Sequence, residues 1–415
     1  MRKINYLLAA SGFAFFSAVT SLATGTAMAS SSNSKTIEFA YWGDVQENTA
    51  IKAAVSAFEK SHPNIHVNAL WITGNYNQKL LTMIAGGTAP DVIQISNSDL
   101  PGYIQAFSPV HVNPNPYLSS RLVNELKVKG TLYAYPFDVN PKVMTINISL
   151  FQKRHVPLPS LTKPMSPAQF QSDAMKLTYG SGAHKVWGSA PLWYGDWLYM
   201  FGGRLFNAQG TKSLIGSPQA IAAANFVIDS SGKYHYAPTA KESAGQNMFN
   251  WFLSGKVATY TDTGPWYLPT LQGVKGLHWE LVPEPGTSPF GEVDGLAIGK
   301  TSAHPRTANL FAQWMSTSKL AQDAIGASPQ AGYVPVIKSA IPGFLHTQPG
   351  HNLQAFIQGA ATNVQDGLPW TRSNQIINQV WTDMDNETAL GTGTKPPGKV
   401  FPGIAQSIDT LLQHP

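Results

Sequence analysis

Apolar residues alternate with polar ones over 36–42, placing Ile37, Phe39 and Tyr41 on one face and predicting a first strand. Ile51, Ala54, Val55 and Phe58 then recur at i, i+3, i+4 and i+7, predicting a helix over 48–61 that Pro63 stops. Alternation returns at Ile65, Val67, Ala69 and Trp71, a second strand. Residues 75–85 read as helix closed by Gly86-Gly87, and 91–96 as a short third strand. Three strands joined by two helices within about sixty residues make a βαβαβ unit, hence a parallel sheet covered on both faces. Such sheets take ligands in the crevice beyond the carboxyl ends of their strands. Those ends are Trp42-Gly43-Asp44, Ile72-Thr73-Gly74 and Ser96-Asn97.

Further along, 167–177 and 218–229 have helical periodicity, separated by an aromatic and glycine-rich stretch. From about Val257 the pattern returns to strand, turn and strand, followed by a helix over 307–315. Helices are predicted near 354–358, 374–386 and 403–412. No internal repeat interrupts this order.

The first residues follow a different rule. Arg2 and Lys3 precede a mostly apolar run from Leu7 to Val19, and Ala27-Met28-Ala29 offers small side chains at a cleavage site. Residues 1–29 are therefore expected to be a secretory signal peptide and 30–35 a flexible lead-in. Ser11, Gly12, Ser17 and Thr20 break the apolar run below the ~20 residues that span a bilayer.

Composition narrows the chemistry. The 415 residues contain 43% hydrophobic and only 12% charged residues, about half the usual charged share of ~25%. Hydrophobicity is too high for disorder, so neutral polar groups must wet the surface. Of the net charge of +5, Arg2 and Lys3 supply two, and no longer Lys/Arg run exists than Lys153-Arg154. Nucleic-acid binding has no electrostatic footprint here. Cysteine is absent, which removes disulfides, thiolate ligands and a cysteine-borne lipid anchor. A free periplasmic or secreted protein is expected. Low charge also suits an acidic exterior, because carboxylates lose their charge below about pH 4 and neutral surface does not.

Catalytic signatures are missing. There is no G-x-S-x-G elbow and no H-E-x-x-H pair. The run Gly295 to Thr301 is one residue short of a phosphate loop. His62 with His66, and His346 with His351, read as solvated loop residues. No metal or other cofactor is expected.

One segment carries a specific resemblance. Phe58-Glu59-Lys60, Pro63-Asn64-Ile65-His66-Val67, Tyr76 with Lys79-Leu80, and Ala85 to Val92 follow one another as they do in the extracellular solute-binding proteins of carbohydrate ABC transporters (family 1, maltose-binding-protein-like). Leu132 to Pro136 with Asn147 and Leu150-Phe151 resembles that family's crossover. Phe252 to Ala258 followed by Gly264-Pro265-Trp266 resembles its Gly-Pro-Trp segment, Gly295 to Gly299 its return strand, and Tyr333 to Val336 its late turn. The resemblance runs from Thr36 to about Leu412. It implies an α/β, two-lobed periplasmic-binding-protein fold (type II), with the ligand cleft between lobes and hinge crossovers. On that template lobe 1 takes 36–145 plus about 258–315, and lobe 2 about 146–257 plus 316–415.

The resemblance implies a substrate-binding component of an ABC importer, not an enzyme. It would capture a neutral sugar or oligosaccharide as a monomer and deliver it to permease subunits. Sugars show hydroxyls at their edges and C–H groups on their faces, so a cleft needs aromatic planes beside polar groups. Trp42 ends the first strand and Trp266 lies in the Gly-Pro-Trp turn. Trp193, Tyr194 and Trp197 fall where maltose-type members contact ligand, and Trp370 near a late cleft aromatic. Trp251, Trp314 and Trp381 fall in helical patterns and read as core. Asp44, Asn97, Asp138, Asn140 and Asp294 are the polar candidates, although Asp44 could equally cap the following helix. Some disaccharide-binding members carry a Glu where this chain has Asn140, which sets it apart from them. The alternatives are a secreted carbohydrate-active hydrolase, with paired cleft carboxylates, and a binding protein for a polyol or glycerol phosphate ester. A phosphate would call for several arginines, and only Arg121, Arg204 and Arg372 are placed to serve.

Overall fold

The computed structural model describes residues 34–287, 291–328, 332–362 and 373–413. The expected signal peptide and Trp370 lie outside those residues. The strands are β1 (Lys35–Tyr41), β2 (Ile65–Trp71), β3 (Val92–Ser96), β4 (Phe107–Ser108), β5 (Lys127–Val128), β6 (Thr131–Leu132), β7 (Ala134–Pro141), β8 (Val143–Asn147), β9 (Thr259–Thr263), β10 (Trp279–Val282), β11 (Gly291–Gly299) and β12 (Val334–Pro335).

The βαβαβ expectation is met. β1 pairs parallel with β2 on one side and β3 on the other. The large sheet runs β12-β7-β11-β3-β1-β2, with β11 returning antiparallel between β3 and β7. The first helix spans Val45–Ser61, three residues earlier than its periodicity suggests. Its start is set by a capping box: Asp44 accepts from the Glu47 backbone N–H at 2.8 Å, and the Asp44 N–H donates to Glu47 at 2.7 Å. Its buried face, Ile51, Ala54, Val55 and Phe58, is the one the period marks.

A second, three-stranded sheet runs β10-β8-β9. The chain passes from one sheet to the other at Lys142, between β7 and β8. The segment from Pro283 leads back to β11. Two apolar clusters carry the sheets, the larger of which also takes Val143, Trp279 and Leu281 from the small sheet. Phe39, Phe58, Phe107 and Phe137 fill the larger one, while Phe151, Phe170, Trp197 and Tyr236 fill the smaller. A third cluster joins helix Pro218–Gly232 to helices Ser373–Glu387 and Pro397–Gln413.

Two assignments of segments to lobes differ from expectation. Residues 259–263 and 279–282 flank β8 in the small sheet instead of joining the large one. Helix Lys319–Gly326 and β12 belong with the large sheet, where Ala321, Ile325 and Val334 enter its core. A strand buried as deeply as β8 needs hydrogen-bonded partners on both edges, and only long-range pairing supplies them.

Two substitutions separate core from cap. Phe58→Ala should cost about 3–5 kcal/mol and Asp44→Ala about 1 kcal/mol, read from the midpoint of urea unfolding. Equal losses would contradict the packing described.

Candidate functional site

The carboxyl ends of β1 and β3 and the start of β11 meet at one rim. There an open pocket of about 520 Å³ is lined by Trp42, Asn75, Tyr76, Asn77, Ser98 and Glu292 among others. Trp42 is half-buried, its ring edge-on to Tyr76 at 4.9 Å. A polar network rings the pocket. Asn77 donates to Asp99 at 2.9 Å, the hydroxyls of Ser96 and Ser98 lie 2.8 Å apart, and Ser98 donates to Glu292 at 2.8 Å. The Tyr76 hydroxyl lies 2.8 Å from the Gln94 carbonyl, which fixes the ring beneath Trp42.

Beside this rim, pairing of β7 with β11 sets Asp138 opposite Asp294, and β3 sets Ser96 on the other side of Asp294. The Asn140 amide donates to both carboxyls, 2.8 Å to Asp138 and 3.0 Å to Asp294. Both aspartates are buried. Desolvation pushes each well above the ordinary carboxylate range, and neighbouring acids push the same way: Glu47 on Asp138, Asp138 on Asp294. Glu47 itself is pushed up to about 7, chiefly by burial. Burial therefore favours the uncharged form of the two aspartates, while Glu47 is near its midpoint at neutral pH.

A second constellation surrounds the crossing at Lys142. Its ammonium pairs with Asp262 at 2.5 Å and lies 4.3 Å above the Trp266 ring. Burial works to lower the Lys142 pKa, but Asp262 and Asp196 overcome it and raise it. Asp196 and Glu284 are both buried, and no oxygen of either carboxyl has a hydrogen-bond partner among the described residues. Burial raises both well above the usual range, with Asp262 adding repulsion on Asp196 and Asp196 adding repulsion on Glu284. Trp266 can lie back because position 264 is glycine: a Cβ there would fall 2.2 Å from the indole. The same turn meets the large sheet's side. A Cβ on Gly332 would be 2.8 Å from Trp266 Cα and 3.3 Å from a Glu47 carboxylate oxygen.

Trp42, Asp138, Asn140, Trp266 and Asp294 thus gather around the crossing and the strand ends. Asp44 sits at the rim, with one oxygen used in its cap. Trp193 is 50% exposed and stacks at 5.9 Å on Trp381, which itself packs, partly buried, against the third core cluster as its helical position suggests. Three further candidates are buried with internal partners. Trp197 is fully buried against Phe170 and Phe226. Tyr194 is buried against Phe401, its hydroxyl donating to the Ala220 carbonyl at 3.2 Å. They lie on helix Tyr194–Met200, every residue of which is buried. Asn97 turns inward: its side-chain oxygen accepts from the Val293 N–H at 3.3 Å and its amide donates to Glu125 at 3.4 Å. Sequence reasoning missed Glu47, Lys142, Asp196, Asp262 and Glu284. Lys142, just past the Asn140-Pro141 crossing, and Asp262, four residues before Trp266, carried the readable signal.

Comparison with known proteins gives a consistent result. A sequence profile described as bacterial extracellular solute-binding protein matches residues 53–355. A lipoprotein of undetermined function, encoded in the oleD 5' region of Streptomyces antibioticus, is 24% identical over 298 residues, covering 64% of this chain. The match spans 63% of that relative's length. An ABC substrate-binding protein of Listeria monocytogenes, solved in complex with cycloalternan, superposes with a TM-score of 0.78 at 22% identity, covering 91% of this chain and 99% of its own. The GacH receptor of Streptomyces glaucescens, solved unliganded and with acarbose, gives 0.76 at 21%, covering 92% and 99%. UgpB of Mycobacterium tuberculosis with glycerophosphocholine gives 0.74 at 18%, also covering 92% and 99%. These likenesses establish the two-lobed α/β fold.

The buried acids fix a pH dependence. A carboxyl whose folded pKa is raised leaves stability intact below its unfolded value near 4. It removes stability as pH climbs through the folded value, about 7 for Glu47. The melting temperature should therefore be highest near pH 4 and decline towards pH 8, with a shallower decline in Asp294→Asn. A melting temperature that climbs from pH 4 to pH 7 would refute this.

Proposed function

The chain belongs to the bacterial extracellular solute-binding proteins, and we propose that within that family it is the substrate-binding component of a carbohydrate ABC importer. The reading rests foremost on one observation: each sheet contributes a half-buried tryptophan, Trp42 beyond β1 and Trp266 beyond β9, next to a cluster of hydrogen-bonding groups. Indole planes suit the C–H faces of a sugar and the surrounding Asn, Ser and carboxyl groups suit its hydroxyls. Relatives of the same fold solved with cycloalternan and acarbose agree with this ligand class.

The ligand on this reading is a sugar without acidic groups. Lys142 is already paired with Asp262, with Asp196, Glu292 and Glu284 close by. A phosphate ester would meet repulsion or would have to protonate its neighbours. Binding without turnover, export across the membrane and delivery to permease subunits complete the proposal. Closure of the two lobes about the crossing at Lys142 would exclude water and strengthen each hydrogen bond to the sugar.

A thermal-shift panel of neutral mono- and disaccharides tests it. A sugar at a hundredfold excess over its Kd should stabilise the protein by about 2.7 kcal/mol. Trp266→Ala should weaken binding about tenfold, the loss of ~1.4 kcal/mol expected of one ring contact, and leave the sugar-free melting temperature nearly unchanged. No shift with any sugar would reject the proposal.

A further inference from the structure

Behind Lys142 lies a pocket that shares no lining residue with the rim at Trp42. It encloses about 230 Å³ and is lined by Lys142, Thr162, Pro283, Glu284, Thr287 and Ala355 among others. That is below the ~300–1,000 Å³ of a typical ligand pocket, room for one small unit. No aromatic side chain is among its described lining residues, so it offers no plane for stacking a ring. Its walls are apolar, from proline and alanine, with a few hydroxyl, ammonium and carboxyl groups between. Glu284 is 4% exposed, and neither of its carboxyl oxygens has a hydrogen-bond partner among the described residues. A buried polar group left unpaired is unfavourable, which a bound partner would relieve. Lys142 connects this pocket to Trp266, since its ammonium also lies over that ring.

We infer that this pocket is a subsite for an uncharged, hydroxyl-bearing end of the sugar, which reaches past Lys142 to the Glu284 carboxyl; the inference rests on the sugar-binding reading above. The lining selects this chemistry by elimination. An anionic end would lose its hydration between apolar walls, and Lys142, which could compensate it, is already paired with Asp262. A cationic end would sit beside the Lys142 ammonium. A hydroxyl both donates and accepts, and so does a carboxyl that burial holds protonated. The C–H groups of a polyol match the proline and alanine walls.

Isothermal titration of the full chain tests it, with maltose, cellobiose and mannobiose, and with glucose, glucosamine and glucuronate as a charge series. Glucose should bind more tightly than either charged counterpart. For the tightest sugar of the panel, Thr162→Trp, which fills the pocket, and Glu284→Leu should each weaken binding about tenfold. Glu284→Gln, which keeps a donor and an acceptor, should stay within about threefold. Glu284→Leu should also raise the melting temperature, because it removes an unpaired buried carboxyl, so its weaker binding cannot be misfolding. Sugar binding that neither Thr162→Trp nor Glu284→Leu disturbs, or a preference for glucosamine or glucuronate, overturns the subsite and leaves the sugar-binding reading standing. Failure of wild type to bind any sugar removes both.

Discussion

The return of β11 between β3 and β7 is the constraint on which the rest depends. Without it β3 would be an open edge and β7 would have no path into the sheet. The antiparallel register places Asp294 abreast of Ser96 and Asp138 at once. It also needs close approach. A Cβ on Gly295 would lie 2.7 Å from that of Ala134 and 2.9 Å from Leu126, so only glycine fits beside the irregularity between Asp294 and Gly295. One strand thereby closes the sheet, sets Asp294 against Asp138 and follows the segment returning from the small sheet.

The cost of that arrangement is electrostatic. Carboxyls gathered in a buried place cannot all ionise, and burial together with mutual repulsion holds them protonated. A protonated carboxyl keeps both a donor and an acceptor, which is what a hydroxyl-rich ligand requires. Lys142 is the exception: its ion pair with Asp262 sustains its charge, and Trp266 covers it. The cleft thus combines neutral acids with a satisfied cation.

The local elements were legible in the sequence because they depend on neighbours. The alternation in 36–42 and 65–71, the Ile51-to-Phe58 stripe and the Gly86-Gly87 stop all lie within a few residues of the structure they specify. The missed helix start shows the same rule, for Asp44 and Glu47 spell a capping box three residues apart. The positions of Trp42 at the end of β1 and of Trp266 in the Gly-Pro-Trp turn were legible, because a strand end and a turn motif mark them. Trp197 was not, since a seven-residue helix enclosed on every side has no polar stripe to betray its burial.

The sequence by itself determined the class of fold, the order of strands and helices, and the family, because periodicity, caps and short motifs act over short distances. Tertiary structure alone decided which polar groups are spent on internal partners and which line a pocket. Asn97 spends its side chain on Val293 and Glu125, Lys142 meets Asp262 across 120 positions, and Glu284 comes to line a pocket with Ala355. Whether a tryptophan is core or platform, or a carboxyl charged or neutral, depends on how deeply the fold buries it and which distant groups pack beside it. Those are properties of contacts far apart in the chain, which no local pattern encodes.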